Sequence, residues 1–320
     1  TGRACKMRYD RDDDMIITGK RHDFRIDYTV GFDATGKIEA ITFEHFTRCG
    51  WAQDLSLPVA DRAMLHADNA YYLPNVRITS HRLKTNTQSA TAFRGFGGPQ
   101  GILGIEVAID HIARHLGLDP LGVRLLNAYA DMDQGVKQTT PYGMIVTDGI
   151  TNALSKKLVE TSQYHARRNA IATFNAQNPV LKKGISLTPV KFGISFTLTH
   201  LNQAGALVHV YADGSIMLNH GGTEMGQGLF QKVAQVAASR FDLGIDAVKI
   251  TATDTGKVPN TSATAASSGT DLNGMAVANA CDQIKTRMIK CLSETYDTQD
   301  VTFQGGNVRI GTTTLTFAQT

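Results

Sequence analysis

The sequence predicts an α+β protein of two domains, each a mixed sheet with covering helices. Two observations predict it: period-two alternation in both halves of the chain, and three glycine-rich turns that each lead into apolar residues at helical spacing. Strand order is not legible from these patterns.

Residues 24 to 32 and 38 to 47 alternate apolar and polar on either side of Asp33-Ala34-Thr35-Gly36-Lys37, as two strands of a hairpin do. Ile102, Ile105, Ile109, Ile112 and Leu116 then repeat at helical spacing behind the segment Gly95 to Gly101, and Gly117 is placed to end that helix. A second hairpin runs from Ala206 to Tyr211, turns at Asp213-Gly214 and returns through Ile216 and Leu218. Leu229, Val233, Val236 and Ala237 form a helical stripe behind Gly226 and Gly228, and Val277, Cys281, Ile284 and Met288 form another behind Gly274. Between the halves, Asn175 to Gly184 is polar and loses hydrophobic periodicity, which sets the domains at 1–175 and 176–320.

Both ends read as cut from a longer polypeptide. The chain opens on Thr1-Gly2-Arg3, and Thr316-Phe317-Ala318-Gln319 has the Thr-x-x-Gln spacing of a helix capping box with Thr320 alone behind it. A frayed tail would be the plainer reading of the second feature. The first domain is thus expected to be truncated on its N-terminal side and the second on its C-terminal side.

A chain of 320 residues, 42% hydrophobic and 19% charged, has the composition of a globular protein. Its formal charge of +3 is small and evenly spread, which argues against a nucleic-acid partner. Cys5, Cys49, Cys281 and Cys291 lie far apart without a CxxC pair, so they spell neither a zinc site nor an iron–sulfur cluster and are expected to be thiols. No apolar stretch reaches the roughly 18 residues of a membrane helix, and no signal peptide opens the chain. A cytoplasmic location without a membrane partner is the resulting expectation.

A glycine turn that opens a helix exposes backbone N–H groups beside the positive end of the helix dipole, which suits an anion. The turn Arg94-Gly95-Phe96-Gly97-Gly98-Pro99-Gln100-Gly101 matches neither the dinucleotide nor the Walker pattern. Gly221-Gly222-Thr223-Glu224-Met225-Gly226-Gln227-Gly228 and the segment Val258 to Gly269 are the other two. Any one of them is more simply a structural turn. Three that converge would make a socket for an extended, phosphate-bearing cofactor.

The run Thr91-Ala92-Phe93-Arg94-Gly95-Phe96-Gly97-Gly98-Pro99-Gln100, with Gly221 to Gln227 and the Ala265-Ala266 loop, resembles the xanthine dehydrogenase family of molybdenum hydroxylases. Phe192-Gly193-Ile194-Ser195-Phe196-Thr197 and Asn202-Gln203-Ala204-Gly205-Ala206 extend the resemblance over essentially the whole chain. It implies the fold of that family's molybdenum-cofactor-binding domains. It also implies a molybdopterin cofactor that hydroxylates hypoxanthine and xanthine to urate with water-derived oxygen, and electrons that leave through [2Fe-2S] clusters and FAD in other domains or subunits. Family members commonly assemble as dimers of the complete unit.

By the same resemblance, the backbone at Arg94 and Ala266 faces the metal, and Gln227 and Ser267 contact the pterin within a cradle that includes Gly95, Gly97, Gly98 and Ala265. Phe96 and Phe196 resemble the two aromatics that hold the purine by face and edge. Arg62 resembles the arginine that orients substrate and offsets charge developing on it, and Thr197 a substrate hydrogen-bond partner. Read without the family, Arg62 would be a surface ion-pairing residue, the phenylalanines core residues and Thr197 an ordinary strand threonine.

Two parts of the family's machinery do not match here: a glutamate base far toward the C-terminus, and an upstream Gly-Phe-Gly-Gly-Lys-Glu loop. Glu224 does not replace that base, because it belongs to the second cofactor loop. The expectation is a parent enzyme that turns over purines and a chain that alone does not. The competing enzymatic reading is an aldehyde oxidase or a hydroxylase of other N-heterocycles, against which Arg62 and Phe196 argue. From other classes come a non-catalytic assembly module and a structural α+β protein with fortuitous loops.

Overall fold

Alternation in the first half becomes a mixed sheet. Strand β1 (Phe24–Phe32) pairs antiparallel with β2 (Ile38–Gly50), and β2 pairs parallel with β3 (Val76–Lys84). A helix, α1 (Arg11–Ile17), precedes them, capped by the Asp10 side chain. The parallel step needs a crossover, and α2 (Ser56–Leu65) supplies it. Behind β3 the glycine turn opens α3 (Gly98–Leu116), which ends at Gly117 in a left-handed conformation, as the periodicity predicts. Then come α4 (Pro120–Asn127), α5 (Thr151–Thr161) and α6 (Tyr164–Gln177).

The computed structural model describes residues 2–131, 137–254, 256–257 and 261–320. By its internal contacts the chain divides into two units, Thr1–Gly193 and Ile194–Thr320. The division falls beyond 175/176 because residues 189–193 are hydrogen-bonded to Asn69 and His66 of the first unit. The core of that unit is α3 laid on the sheet. Ile105, Ile109 and Ile112 are at most 1% exposed against Ile41 and Phe43, and each such side chain contributes roughly 1.5–3 kcal/mol over leaving it in water.

The second unit repeats the order of the first. Strand β4 (Ala206–Val210) pairs antiparallel with β5 (Ile216–His220), α7 (Leu229–Phe241) crosses over, β6 (Val248–Ile250) pairs parallel with β5, and α8 (Gly269–Tyr296) follows a turn of small residues. Both units therefore run β-β-α-β-α, and their helices α3 and α8 start from equivalent turns. The repeat accounts for helix-opening turns before both α3 and α8. Val258, Pro259 and Asn260 of the third turn lie outside the described residues.

A third sheet, which periodicity did not reveal, completes the second unit: β7 (Val301–Gln304), β8 (Asn307–Ile310) and β9 (Thr313–Thr316), antiparallel throughout. Its Phe303 and Val308 join Phe241 of α7 and Phe317 in one core, the rings of Phe241 and Phe317 lying 5.3 Å apart. The Thr316/Gln319 capping box is present and closes a 3-10 turn over Phe317–Gln319. The architecture is α+β, with mixed sheets and covering helices. Among the described residues no helix is long and apolar enough to cross a membrane.

Candidate functional site

In the first unit the site grows from the contact of α2 with α3. Val59 and Ala63 of α2 lie so close to α3 that a Cβ on Gly97 or Gly101 would run into their carbonyl oxygens. Gly97 also sits at a φ of 97°, which a larger side chain resists. This approach brings the last turn of α2, and with it Arg62, beside the turn 94–97. Phe96 occupies that turn at a φ of 51° and is 6% exposed. A bulky residue held in the left-handed region stores strain, a feature that clusters at functional sites.

Arg62 is 2% exposed, contrary to the surface placement its residue type suggests. Its Nη1 donates to the Gly193 carbonyl, and its guanidinium lies 5.8 Å from the Phe96 ring and 5.4 Å from that of Phe192. Burial draws its pKa below the ordinary guanidinium value, and a guanidinium remains charged near neutrality. The chain thus sets a buried cation between two aromatic rings at the mouth of the first glycine turn. Arg94 is exposed on this turn, its carbonyl fixed by a 2.7 Å bond from Arg21, which also packs over the Phe93 ring at 4.3 Å.

The residues that follow α2 hold the arm 189–193. The side chain of Asn69 accepts from the Lys191 N–H at 3.0 Å and donates to the Pro189 carbonyl at 2.9 Å, as a neighbouring strand would. Buried Asp68 accepts from the Tyr129 hydroxyl at 2.6 Å and pairs with Lys191 at 2.9 Å, while burial raises its carboxyl above the ordinary range. His66 receives the Gly193 N–H on Nε2 at 2.9 Å, and its Nδ1 lies 2.8 Å from the Arg62 carbonyl. Burial pulls its pKa down to about 4. No motif flags these three residues, although the one-turn spacing of Arg62 and His66 on a helix end was available as a signal.

In the second unit the glycine-rich loop 221–228 meets the small-residue loop 261–268, where the Thr223 N–H donates to Thr264 Oγ1 at 2.8 Å. Glu224 turns its carboxylate onto the start of α7 and accepts from the N–H groups of Gly226, Gly228 and Phe230 at 2.8–3.0 Å. Those bonds, Phe230 first, hold its pKa below the usual glutamate value. Gln227 bonds within its own loop, to the Thr223 carbonyl and the Met225 N–H. Ala266 and Ser267 follow one another at φ values of 57° and 56°. Ser268, at the N-terminus of α8, donates its hydroxyl back to Ala265 at 3.0 Å, which leaves the first N–H groups of a 28-residue helix to the turn.

Phe196 is tied to the same turn. The Ser195 N–H donates to the Ala266 carbonyl at 2.8 Å, and the Asn202 side chain grips both backbone groups of Phe196, at 2.8 and 2.9 Å. The ring is 6% exposed and lines a narrow cavity with Thr264, Ser268 and Asn273. Thr197 follows it, half-buried. The structure therefore gathers Arg62, Phe96 and Arg94 to Gly98 in the first unit, and Phe196, Thr197 and Ala265 to Ser267 in the second.

Solved structures with this fold include quinoline 2-oxidoreductase from Pseudomonas putida 86, with a TM-score of 0.81 at 22% identity, and a Cu,Mo-CO dehydrogenase, with 0.86 at 20%. Each similarity covers 97% of this chain and 41% of the other, and at such identity it establishes fold alone. Residues 1–128 and 157–320 each match the molybdopterin cofactor-binding domain. The chain belongs to that family. It is 47% identical over 288 residues to the xanthine dehydrogenase/oxidase of Gallus gallus, and 47% identical over 279 residues to the xanthine dehydrogenase of Dictyostelium discoideum. These regions are 90% and 87% of this chain but 21% and 20% of those proteins, so the chain spans about a fifth of their length.

The residues present fit a molybdopterin. In the second unit, consecutive left-handed residues at 266–267 and the uncapped start of α8 offer backbone N–H groups to an anionic group; in the first, Gly95, Gly97 and Gly98 leave little side-chain bulk on either side of Phe96.

Proposed function

We propose that this chain is the cofactor-holding part of a xanthine dehydrogenase that oxidises hypoxanthine and xanthine to urate. The observation that carries the reading is Arg62, a buried guanidinium set against Phe96 at the opening of the first glycine turn. When bound, the molybdopterin would supply the redox chemistry that adds water-derived oxygen to the purine. The backbone at Arg94 and Ala266 would face its metal, with Gly95, Gly97, Gly98 and Ala265 in the cradle and Gln227 and Ser267 against the pterin. Residues 1–175 and 176–320 would then serve as its first and second binding domains.

Phe96 takes the face of the purine, Phe196 its edge, and Thr197 a hydrogen bond at its rim. Arg62 orients the ring through its oxygens and stabilises the negative charge that grows there during attack. Apart from its reacting carbonyl, a simple aldehyde has less to offer a guanidinium, which favours purines over the aldehyde reading. Iron–sulfur and FAD domains receive the electrons, the complete unit is a dimer, and the enzyme works in the cytoplasm.

The general base is a glutamate outside these 320 residues, so the chain alone does not turn over. Glu224 is committed to capping α7, and Glu106 to Tyr71, Asn69 and Arg124. In the complete enzyme, Arg62→Met lowers xanthine kcat/KM by about a hundredfold or more, the scale of one lost transition-state contact to charge, and lowers aldehyde turnover much less. Equal losses on both substrates, or xanthine turnover by this chain alone, would contradict the respective assignment.

A further inference from the structure

Arg62 does not hold itself in place. Its guanidinium donates to the Gly193 carbonyl, and the Gly193 N–H donates to His66, one helical turn beyond Arg62. The imidazole's other nitrogen lies 2.8 Å from the Arg62 carbonyl. A carbonyl can only accept and a backbone N–H can only donate, so the two partners together dictate the ring's protonation. Nδ1 must carry the hydrogen and Nε2 must be bare. This is a closed loop: Arg62 to Gly193, Gly193 to His66, and His66 back to Arg62.

We propose that His66 is a positioning residue for Arg62: held as the Nδ1–H tautomer, it fixes residue Gly193, whose carbonyl aims the guanidinium at the purine. The proposal rests on the role given to Arg62 above. The charged groups that face His66 are Arg62 and Lys191, both of which oppose a second proton on the ring. Lys191 is itself paired with Asp68 and its N–H is held by Asn69, so the arm carrying Gly193 is anchored on both sides of the bond that His66 makes. The Phe192 ring packs at 4.8 Å from the imidazole and 5.4 Å from the guanidinium, so it moves with the same peptide.

Two replacements separate positioning from simple packing. Glutamine can present an acceptor where Nε2 lies, whereas asparagine reaches only as far as Nδ1. In the complete enzyme, His66→Gln should keep xanthine kcat/KM within about threefold of the parent, while His66→Asn should lose roughly tenfold or more, the scale of a lost hydrogen bond linked to a charged group. Aldehyde turnover should fall in neither. Adding His66→Asn to Arg62→Met should cost nothing further, because the first acts through the second. Equal behaviour of the Gln and Asn variants, or a loss that multiplies with that of Arg62→Met, would overturn the proposal. If Arg62→Met fails to discriminate xanthine from aldehyde, the purine reading itself falls, whatever His66 does.

A measurement on the unaltered protein stands beside these in case a variant does not fold. Side-chain spectra of the full chain labelled with 15N-histidine should show the His66 ring protonated on Nδ1, bare on Nε2 and unresponsive between about pH 5 and 8. A His66 resonance with the opposite tautomer, or one that titrates in that range, would sink the assignment.

Discussion

Two histidines of the first unit carry a consequence for acid stability. His45 and His66 are buried at 0% and 5% exposure, and burial lowers each pKa from 6.5 to about 4. Each ring binds its proton near pH 6.5 when the chain is unfolded but only near 4 when it is folded, so the unfolded state takes up protons first. Their contribution is intact above about pH 6.5 and declines as the pH falls toward 4, by up to about 3 kcal/mol per ring. Denaturant unfolding at pH 7 and pH 4.5 should show this loss, and His45→Phe should remove its share. An identical pH dependence in that variant would mean that His45 is not buried neutral.

At the same scale, the sequence reveals residue types without their surroundings. Arg62 reads as a surface cation because arginine usually is one, and its burial follows from the fit of α2 against α3, which involves residues some 35 positions away. Asn202 and Asn69 are ordinary polar residues in the sequence. Folded, each takes both a donor and an acceptor from a backbone segment and so fixes Phe196 or the arm 189–193. Hydrogen-bond roles of this kind depend on long-range contacts and leave no periodic trace.

Among the elements, α3 shows the contrast most clearly. Its stripe of isoleucines and its terminal glycine announce it, whereas the reason for glycine at 101 lies in another helix. Gly101→Ala would drive a methyl group into the Ala63 carbonyl and part α2 from α3, at a cost of about 1–3 kcal/mol for overpacking. A denaturant midpoint unchanged by this substitution would show that the helices can separate freely. The expected hairpins β1–β2 and β4–β5 both form, since alternation and turn residues are local signals. Parallel strands β3 and β6 escape notice because their partners come from across a helix, and β7 to β9 because each is four residues long.

For the whole molecule, a β-β-α-β-α order used twice explains why helix-opening turns recur along the chain. Each unit holds its turn by its own means: α2 and Arg21 in the first, Thr264, Ser268 and the Ser195–Ala266 bond in the second. Candidate residues on the helix-opening turns are legible from motifs, and the residues that orient them are found only in the fold. The complete enzyme determined with a bound purine tests the account most directly. Arg62 should donate from its guanidinium to the purine while keeping the Gly193 carbonyl, with the Phe96 ring against the purine face. A purine bound without contact to Arg62 or Phe96 would contradict it.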